Sequence, residues 1–517
     1  MLPPPPLSPP LSSLRSLALD PPHTSIELPD APHASNHAPP PPPPLPALEI
    51  TSLLCHDVLA RILRFLRLPD ALAAAAVSTA FAAASRTCVH LATSLDVRAS
   101  ALHDDALHAL LRRAPAATAL LAADCPALSP AGMLAAARHP ALTAVSLAHT
   151  RVTADALLSL LSLRALQLLD LSDCAQLRER DFDARFDGVP TLRALHTLRL
   201  ARCRGLSTHA SVPLLCSKAP QLTTLDLSGY DTLREATLAS VGAACASLHH
   251  LLLAEAELLT DSSVGALIAA CPRLRSLDLS WCILLSVRGV NALLGAAAEL
   301  RAIALHGCEG VRAEELCFLP AAGLVELNLD RAGGGDVPTA GALRSVLCCT
   351  ALRRLHLGWL LRMVTDELCC ALVSTLPQLE VLRVEGCKLI TDAFLEHIVG
   401  LMHGGDRAAD GEDREGNLLA AGRGARTLRL RTLDLGYVDC VSDGAIRAAL
   451  RVAARALGGA ELTIIDYYRN LHSSRNIGSP QSEETTYGCK SLSYTVEDCL
   501  LQQLPVTYFV GNTLHSA

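Results

Sequence analysis

Cysteines are the residues whose type and spacing most readily suggest a metal site in this sequence. The chain has 19 cysteines. Six of them recur at one position of a repeated unit, and these are Cys125, Cys174, Cys203, Cys282, Cys308 and Cys387. Structural zinc sites usually contain two cysteines separated by two residues, and no such pair occurs here. We therefore predict buried thiols that bond the turn backbone, with no metal and no cofactor.

The sequence has none of the common short motifs of catalysis or nucleotide binding. It lacks His-Glu-x-x-His, Gly-x-Ser-x-Gly, a P-loop and Gly-x-Gly-x-x-Gly. The formal net charge is −7, from 44 basic and 51 acidic residues without long blocks of one sign. This balance argues against a dedicated nucleic-acid or membrane-surface protein. We predict a protein that is not an enzyme and that binds another protein.

The cellular compartment is predicted from the cysteines together with the signals of secretion. We find no basic n-region followed by an apolar h-region and no Asn-x-Ser/Thr sequon, so we expect a reducing compartment, the cytoplasm or the nucleus. Outside the proline-rich head, the longest stretches without charged residues, 236–254 and 499–517, contain polar side chains. They do not match the ~20 apolar residues of a membrane span.

One unit recurs from about residue 91 onwards. It has apolar residues at positions 0, 3 and 5, often a cysteine at position 8, and then a helical pattern; Leu274, Leu277, Leu279 and Cys282 form the clearest copy. The other copies begin at Ala92, Ala117, Leu142, Leu166, Leu195, Leu222, Leu248, Leu300, Leu324, Leu352, Leu379, Leu430 and Leu462. The mean interval from Ala92 to Leu379 is about 26 residues, which lies within the range of leucine-rich repeats.

This spacing predicts the fold class. Positions 3 and 5 share one face of a strand, and the residues that follow have helical periodicity. Each unit buries its apolar face only by stacking on its neighbours. We therefore predict an α/β leucine-rich-repeat solenoid, with parallel strands on the concave side and helices on the convex side.

Composition divides the chain into four segments. Residues 1–48 hold 17 of the 31 prolines and are predicted to be a disordered arm. A helical module is predicted at 49–90 and about 14 repeats at 91–466, with a glycine-rich charged insertion at 403–427. Residues 467–517 contain five of the seven tyrosines and a single alanine. This change in composition leaves three interpretations: a non-repeat tail, a capping segment, or an error in the gene model.

The helical module carries a recognisable pattern. Its core, Asp57-Val-Leu-x-x-Ile-Leu-x-x-Leu66, is followed by a Leu-x-x-Pro-Asp-Ala-Leu-like turn at 66–72 and by Val77-Ser-x-x-Phe81. The segment resembles an F-box, and together with the repeats the chain resembles the F-box/leucine-rich-repeat family. Cys55 stands where that family has proline, and Phe81 where it has tryptophan. By itself the segment also fits a plain amphipathic helical cap.

The resemblance implies an adaptor of a Skp–cullin–F-box ubiquitin ligase. The F-box would bind a Skp-family adaptor, and through it a cullin, while the repeats hold an unknown protein substrate. The residues implied in adaptor binding are Leu54, Val58, Leu59, Ile62, Leu63, Leu66 and Pro69. The alternative is a non-catalytic scaffold, for example in a cytoskeletal or ciliary assembly, in which a degenerate F-box only caps the solenoid.

Two sets of residues are candidates for substrate binding. Position 4 of each strand faces the concave groove, and we single out Asp226, Asp278, His356 and Arg383 there. The sequence predicts an acidic first half and a positive region around Arg353, Arg354, His356 and Arg383, unless these charges are merely solvated.

Trp281, Trp359 and Tyr437 all occupy position 7, just past the strand. They are either interface hot spots or packed against the next turn. The two tryptophans are three repeats apart, which is roughly 15 Å at the spacing of neighbouring strands.

Overall fold

The computed structural model describes residues 56–63, 68–179, 184–206, 208–318, 323–333, 343–404, 428–456 and 461–473. Each predicted repeat contributes one three-residue strand to a single sheet, in which every strand pairs with the next in chain order. The strands are β1 Ser94–Asp96, β2 Ala119–Leu121, β3 Ala144–Ser146, β4 Leu168–Asp170, β5 Thr197–Arg199, β6 Thr224–Asp226, β7 His250–Leu252, β8 Ser276–Asp278, β9 Ala302–Ala304, β10 Glu326–Asn328, β11 Arg354–His356, β12 Val381–Arg383, β13 Thr432–Asp434, β14 Thr463–Ile465 and β15 Leu471–Ser473.

The leucines that define the repeat form one continuous core. In the clearest copy Leu274, Leu277 and Leu279 are all buried, and a single apolar cluster extends from Val89 to Ile464. Each repeat thus covers the apolar face of its neighbour, as stacking requires. The predicted α/β leucine-rich-repeat solenoid is confirmed.

Helices follow most of the strands. The α-helices are α1 His56–Leu63, α2 Leu68–Ala73, α3 Thr79–His90, α4 Asp104–Arg113, α5 Pro130–Ala136, α6 Ala154–Leu160, α7 Ala184–Asp187, α8 Ser211–Lys218, α9 Glu235–Ala244, α10 Asp261–Ala270, α11 Val287–Ala296, α12 Asp366–Thr375, α13 Asp392–Gly404 and α14 Asp443–Ala456. Two repeats depart from the predicted pattern. After β9 and β10 the chain forms short 3₁₀ helices, Ala313–Glu315 and Arg344–Cys348. A further 3₁₀ turn, Ala74–Ala76, joins α2 to the residues before α3.

Hydrogen bonds between successive helix starts stabilise the stacking. The Asp261 carboxylate accepts from the Ser286 backbone N–H at 2.9 Å and from its hydroxyl at 2.5 Å. Asp392 accepts from the Ser442 backbone N–H at 2.7 Å in the same way, although the predicted insertion at 403–427 separates the two residues. Because β12 also pairs directly with β13, the insertion leaves the stacking unbroken. Residues 405–427 themselves lie outside the described residues.

The sheet ends within the segment that differs in composition. β15 pairs with β14 in the antiparallel direction, whereas the strands from β1 to β14 are parallel. The first residues of 467–517 therefore contribute the last strand of the sheet. Residues 474–517 lie outside the described residues, as does the predicted arm at 1–48.

The six recurring cysteines form a ladder of thiol hydrogen bonds. Each thiol is buried and donates to the carbonyl oxygen at position 5 of the preceding repeat. Examples are Cys203 to Leu171 at 3.0 Å and Cys308 to Leu279 at 3.0 Å. Burial raises the pKa of Cys308 to about 12. The predicted bonding of these thiols to the turn backbone is confirmed.

This ladder predicts a large difference in thiol reactivity. Under native, reducing conditions at pH 8, we expect iodoacetamide to label the exposed Cys317 and Cys348 at least ~100-fold faster than Cys308, because alkylation needs an accessible thiolate. Mass spectrometry of the peptides gives the rates, and denaturation should make them similar. Comparable native rates, or about one zinc per chain by elemental analysis, would contradict this account.

Candidate functional site

Three helices form the amino-terminal module that resembles an F-box. Leu59 and Leu63 of α1 are 1% and 2% exposed, and they share a small core with Ala84 and Cys88 of α3. The Cys88 thiol also donates to the Ala60 carbonyl oxygen at 3.0 Å. α1 and α3 are therefore fastened together by both apolar contact and a hydrogen bond.

The predicted adaptor-binding residues are divided by this packing. Val58 and Ile62 are 39% and 46% exposed, whereas Leu59 and Leu63 point into the module's own core. The helical periodicity places all four on neighbouring positions of one helix, but it does not show which of them α3 covers. Leu54 and Leu66 lie outside the described residues, and Pro69 lies within α2. Direct contact with a partner is thus available to Val58 and Ile62, while Leu59 and Leu63 hold the helix in place.

The module is attached to the amino end of the solenoid. Val89 of α3 belongs to the solenoid core, and Leu68 and Leu72 of α2 pack against that core. α2 contacts β1, and α3 contacts α4. These helices therefore cover the amino end of the solenoid.

On the concave face, the two aspartates predicted to bind substrate accept hydrogen bonds from the turns that follow their strands. Asp226 accepts from the Ser228 backbone N–H at 2.9 Å, and Asp278 accepts from the Ser280 backbone N–H at 2.9 Å. Both carboxylates are buried between neighbouring strands, and burial raises the pKa of Asp278. Their first role is to close the turn after the strand, and little of their surface remains for a partner.

His356 and Arg383 lie side by side in β11 and β12. His356 is buried, and neither ring nitrogen has a hydrogen-bond partner among the described residues. Burial lowers its pKa to about 4, so the ring is neutral at pH 7. Arg383 is surrounded by three acidic side chains: Asp330 at 3.5 Å, Asp434 at 3.4 Å, and Glu385.

The predicted change to positive charge in the second half of the groove is wrong. Arg354 pairs with the buried Glu326 at 2.8 Å. Arg383 shares its acidic partners with Arg469, which contacts Glu385 at 3.0 Å and Asp434 at 3.2 Å. Arg353 likewise lies 3.6 Å from Glu380. Because carboxylates match or outnumber the guanidinium groups around these predicted residues, the arginines are paired and do not form a positive region there.

We call the edge of the solenoid just past the strands its lip. In each repeat the residue at position 7, on this lip, has a left-handed backbone conformation. Trp281, Trp359 and Tyr437 have φ of 61°, 63° and 58°. Glycine takes this position at Gly307 and Gly386, with φ of 69° and 70°. The turn conformation fixes the direction in which each lip side chain leaves the strand.

Both tryptophan rings pack on a glycine of the following repeat. A Cβ added to Gly307 would lie 2.5 Å from the Trp281 ring, and one added to Gly386 would lie 2.8 Å from the Trp359 ring. Trp281 is nevertheless 40% exposed. Both rings are therefore packed against the next turn, and Trp281 also keeps an exposed side. Their role as interface hot spots stays a prediction.

The second half of the lip carries an aromatic strip. Trp359 lies 5.7 Å from Tyr437, Tyr437 lies 6.1 Å from Tyr467, and Tyr467 lies 5.0 Å from Tyr468, measured between ring centroids. The Arg331 guanidinium lies 5.0 Å from the Trp359 ring centroid. The sequence interpretation missed Tyr467 and Tyr468, although the repeat beginning at Leu462 extends to them.

The anchoring glycines lead to a stability prediction. Gly307→Ala is expected to lower the free energy of unfolding by more than ~1 kcal/mol, because φ is positive there and the new Cβ collides with the Trp281 ring. Gly265→Ala in α10, with nothing within 4 Å of the new Cβ, should instead stabilise by ~0.5–1 kcal/mol. Denaturant unfolding measures both, and a neutral Gly307→Ala would overturn the ring placement.

Within the described parts of the chain, no group of three or more His, Cys, Asp or Glu residues is arranged to hold a metal ion. No helix described by the structure is long and apolar enough to cross a membrane.

Comparison with known proteins gives matches to solved structures alone: no protein-family model and no curated protein matches the chain. Yeast Rad7, solved in complex with Elc1, is 19% identical over 79% of this chain and 92% of that chain, with a TM-score of 0.48. An internalin, InlF, from Listeria monocytogenes is 15% identical over 69% and 84%, with a TM-score of 0.40. LegL7, a leucine-rich-repeat protein of Legionella pneumophila, is 15% identical over 57% and 84%, with a TM-score of 0.33.

The repeated leucine pattern and the single sheet establish the fold independently of these matches. The chain folds as a leucine-rich-repeat solenoid. Its sheet, its buried leucine positions and its thiol ladder are all described directly by the structure. Proteins of this architecture present a continuous curved surface to their partners.

Proposed function

We propose that the protein is a substrate-recognition adaptor of a Skp–cullin–F-box ubiquitin ligase, which recruits a protein substrate for proteasomal degradation in the cytoplasm or the nucleus. The observation that carries the proposal is the exposure of apolar Val58 and Ile62 on a module already fixed to the solenoid. Val77, at the turn before α3, is exposed as well. A helical cap that served the solenoid alone gains nothing from these exposed apolar side chains, whereas a docking face requires them.

The proposed mechanism is recruitment, not catalysis by this chain. The F-box-like module would bind the Skp-family adaptor and, through it, the cullin, while the lip holds the substrate near the charged ubiquitin enzyme. Raised effective concentration then accelerates transfer. We propose Trp281, Trp359 and Tyr437 as direct substrate contacts. Asp226, Asp278, His356 and Arg383 would shape the floor of the groove.

Affinity capture of the full chain from cells tests the proposal. Co-purification of a Skp-family adaptor and a cullin is expected, and their absence from a folded, expressed chain would overturn it. The matched control carries Leu91→Asp, which changes an exposed apolar residue at the end of α3. This control should retain both proteins.

A scaffold is the second candidate function, and one observation favours it. Leu68, Leu72 and Val89 pack against the solenoid core, so the module has a structural role whether or not it docks elsewhere. A scaffold would capture its partners without a Skp-family adaptor or a cullin. The same capture experiment therefore separates the two functions.

A further inference from the structure

An exposed apolar patch lies on the lip beside β7 and β8. It consists of Leu258, Trp281, Ile283 and Leu284, each between 40% and 51% exposed, and we name it the Trp281 patch. These residues belong to adjacent repeats, because β7 and β8 pair directly. Such a cluster of exposed apolar side chains marks a contact surface.

Acidic side chains surround this patch. Position 9 of successive repeats carries Asp231, Glu257, Ile283 and Glu309, and all four are exposed. Among the described residues, neither Glu257 nor Glu309 forms an ion pair. Glu255, at position 7, contacts Arg202 at 3.8 Å, with both side chains about half exposed. The patch thus offers apolar contact inside an acidic rim.

The two tryptophans of the lip differ in one respect. Trp359 has Arg331 over its ring, and Arg331 is the position-7 residue of the preceding repeat. The preceding position-7 residue for Trp281 is Glu255. Both tryptophans have the same left-handed turn and the same glycine support, but no described guanidinium or ammonium group stacks on Trp281. The Glu255 carboxylate itself lies towards Arg202, and the described ring neighbour of Trp281 is His306, which packs edge-on at 5.1 Å between ring centroids.

We propose that the Trp281 patch binds an arginine-bearing apolar segment of a protein partner. A partner guanidinium would stack on the Trp281 ring and pair with a rim carboxylate that has no described ion pair, Glu257 or Glu309. Aliphatic side chains beside that arginine would cover Ile283 and Leu284. This inference deepens the proposed receptor function and rests on it for the role of the partner as substrate.

The arrangement favours arginine over lysine and excludes acidic segments. A planar guanidinium both stacks on an indole and pairs with a carboxylate, which a single ammonium does less well. The Trp281 ring already packs against Gly307 in the free protein. Because binding does not have to order this side chain, the loss of conformational entropy on binding is small. Charge complementarity with the rim sets the orientation of the segment and makes binding salt-dependent.

The test uses the full chain and synthetic peptides. The chain has two tryptophans, so Trp359→Phe leaves Trp281 as the sole indole reporter. A labelled 12-residue peptide with an Arg-Leu-Leu-Arg centre is titrated by anisotropy and by Trp281 emission, beside versions with lysine or glutamate for arginine. We expect the arginine peptide to bind at least threefold more tightly than the lysine peptide, and the glutamate peptide not to bind.

Two variants test the roles of the ring and the rim. Trp281→Leu should abolish the preference for arginine over lysine, and the combined Glu255→Gln, Glu257→Gln and Glu309→Gln variant should weaken binding about tenfold at low salt. Equal binding of all three peptides, or an unchanged preference in Trp281→Leu, would overturn the proposal. Self-association lost in Trp281→Leu, without peptide binding, would instead assign the patch to a second copy of the chain. Adaptor capture by α1 is measured separately, so either function can fail alone.

Discussion

Replacing Arg383 by methionine is expected to lower the free energy of unfolding by about 3–5 kcal/mol. The Arg383 guanidinium lies within 3.5 Å of Asp330 and 3.4 Å of Asp434, and it also contacts Glu385. All three carboxylates are buried. Removing the cation leaves Arg469 as the remaining described ion-pair partner of Glu385 and Asp434. Asp330 keeps the hydrogen bond from the Gly358 backbone N–H but must bear an uncompensated charge. Denaturant unfolding measures the loss.

The pH dependence gives this prediction a specific sign. Burial raises the pKa of Asp330 and of Asp434 above the ordinary range of an aspartate. A carboxyl whose folded-state pKa is raised takes up protons on folding, so its unfavourable contribution appears at high pH and disappears as the pH falls through that pKa. Loss of the cation raises these pKa values further. The Arg383→Met defect should therefore be smaller at pH 5 than at pH 7.

An exposed ion pair provides the control. Arg344 lies 2.8 Å from Glu367, and both side chains are more than half exposed. Arg344→Ala should cost less than ~1 kcal/mol and show little change between pH 5 and pH 7. A similar cost for the two arginine variants, or an Arg383→Met defect that grows at pH 5, would contradict the buried network.

Replacing Val58 and Ile62 together by aspartate is expected to weaken binding of the Skp-family adaptor at least ~100-fold. Each side chain that becomes buried in an interface contributes about 1.5–3 kcal/mol, and every 1.4 kcal/mol changes affinity tenfold. The thermal midpoint should change little, because both side chains are exposed in the free protein. Binding and melting are measured on the same preparations.

Two control variants separate docking from folding. Leu91→Asp introduces a charge at an exposed position directly after α3 and should leave adaptor affinity unchanged. Leu59→Asp places a charge in the core shared by α1 and α3 and should lower the thermal midpoint. If the Val58 and Ile62 variant binds the adaptor as tightly as the wild type, the exposed face of α1 is not the docking site.

The repeat was predictable from sequence because its signal is repeated. Leucines at positions 0, 3 and 5, such as Leu274, Leu277 and Leu279, give both the strand and the buried face. The hydrogen bond from Cys308 to a turn carbonyl oxygen was predictable because the sequence has no second cysteine at the spacing of a zinc site. The 3₁₀ helices after β9 and β10 were missed, because general periodicity does not distinguish a short turn from a full helix.

The details of the candidate surfaces depend on contacts between repeats, which a single-repeat pattern does not contain. Asp226 and Asp278 recur in Asp-Leu-Ser, and this recurrence was an overlooked sign that they close turns. The prediction of positive charge around Arg383 was wrong because it considered position 4 alone. Asp330 and Glu385 lie outside position 4 and approach Arg383 from neighbouring turns. Similarly, the apolar spacing of α1 did not show that α3 covers Leu59 but leaves Ile62 exposed.

Calorimetric titration of the purified full chain with a purified Skp-family adaptor tests the proposed function most directly. We predict a one-to-one complex with a Kd of ~1 μM or tighter, which disappears in the Val58 and Ile62 double variant and persists in Leu91→Asp. Circular dichroism of the same samples shows whether each chain is folded. No binding by a folded wild-type chain would contradict the adaptor function and leave the scaffold as the function of this solenoid.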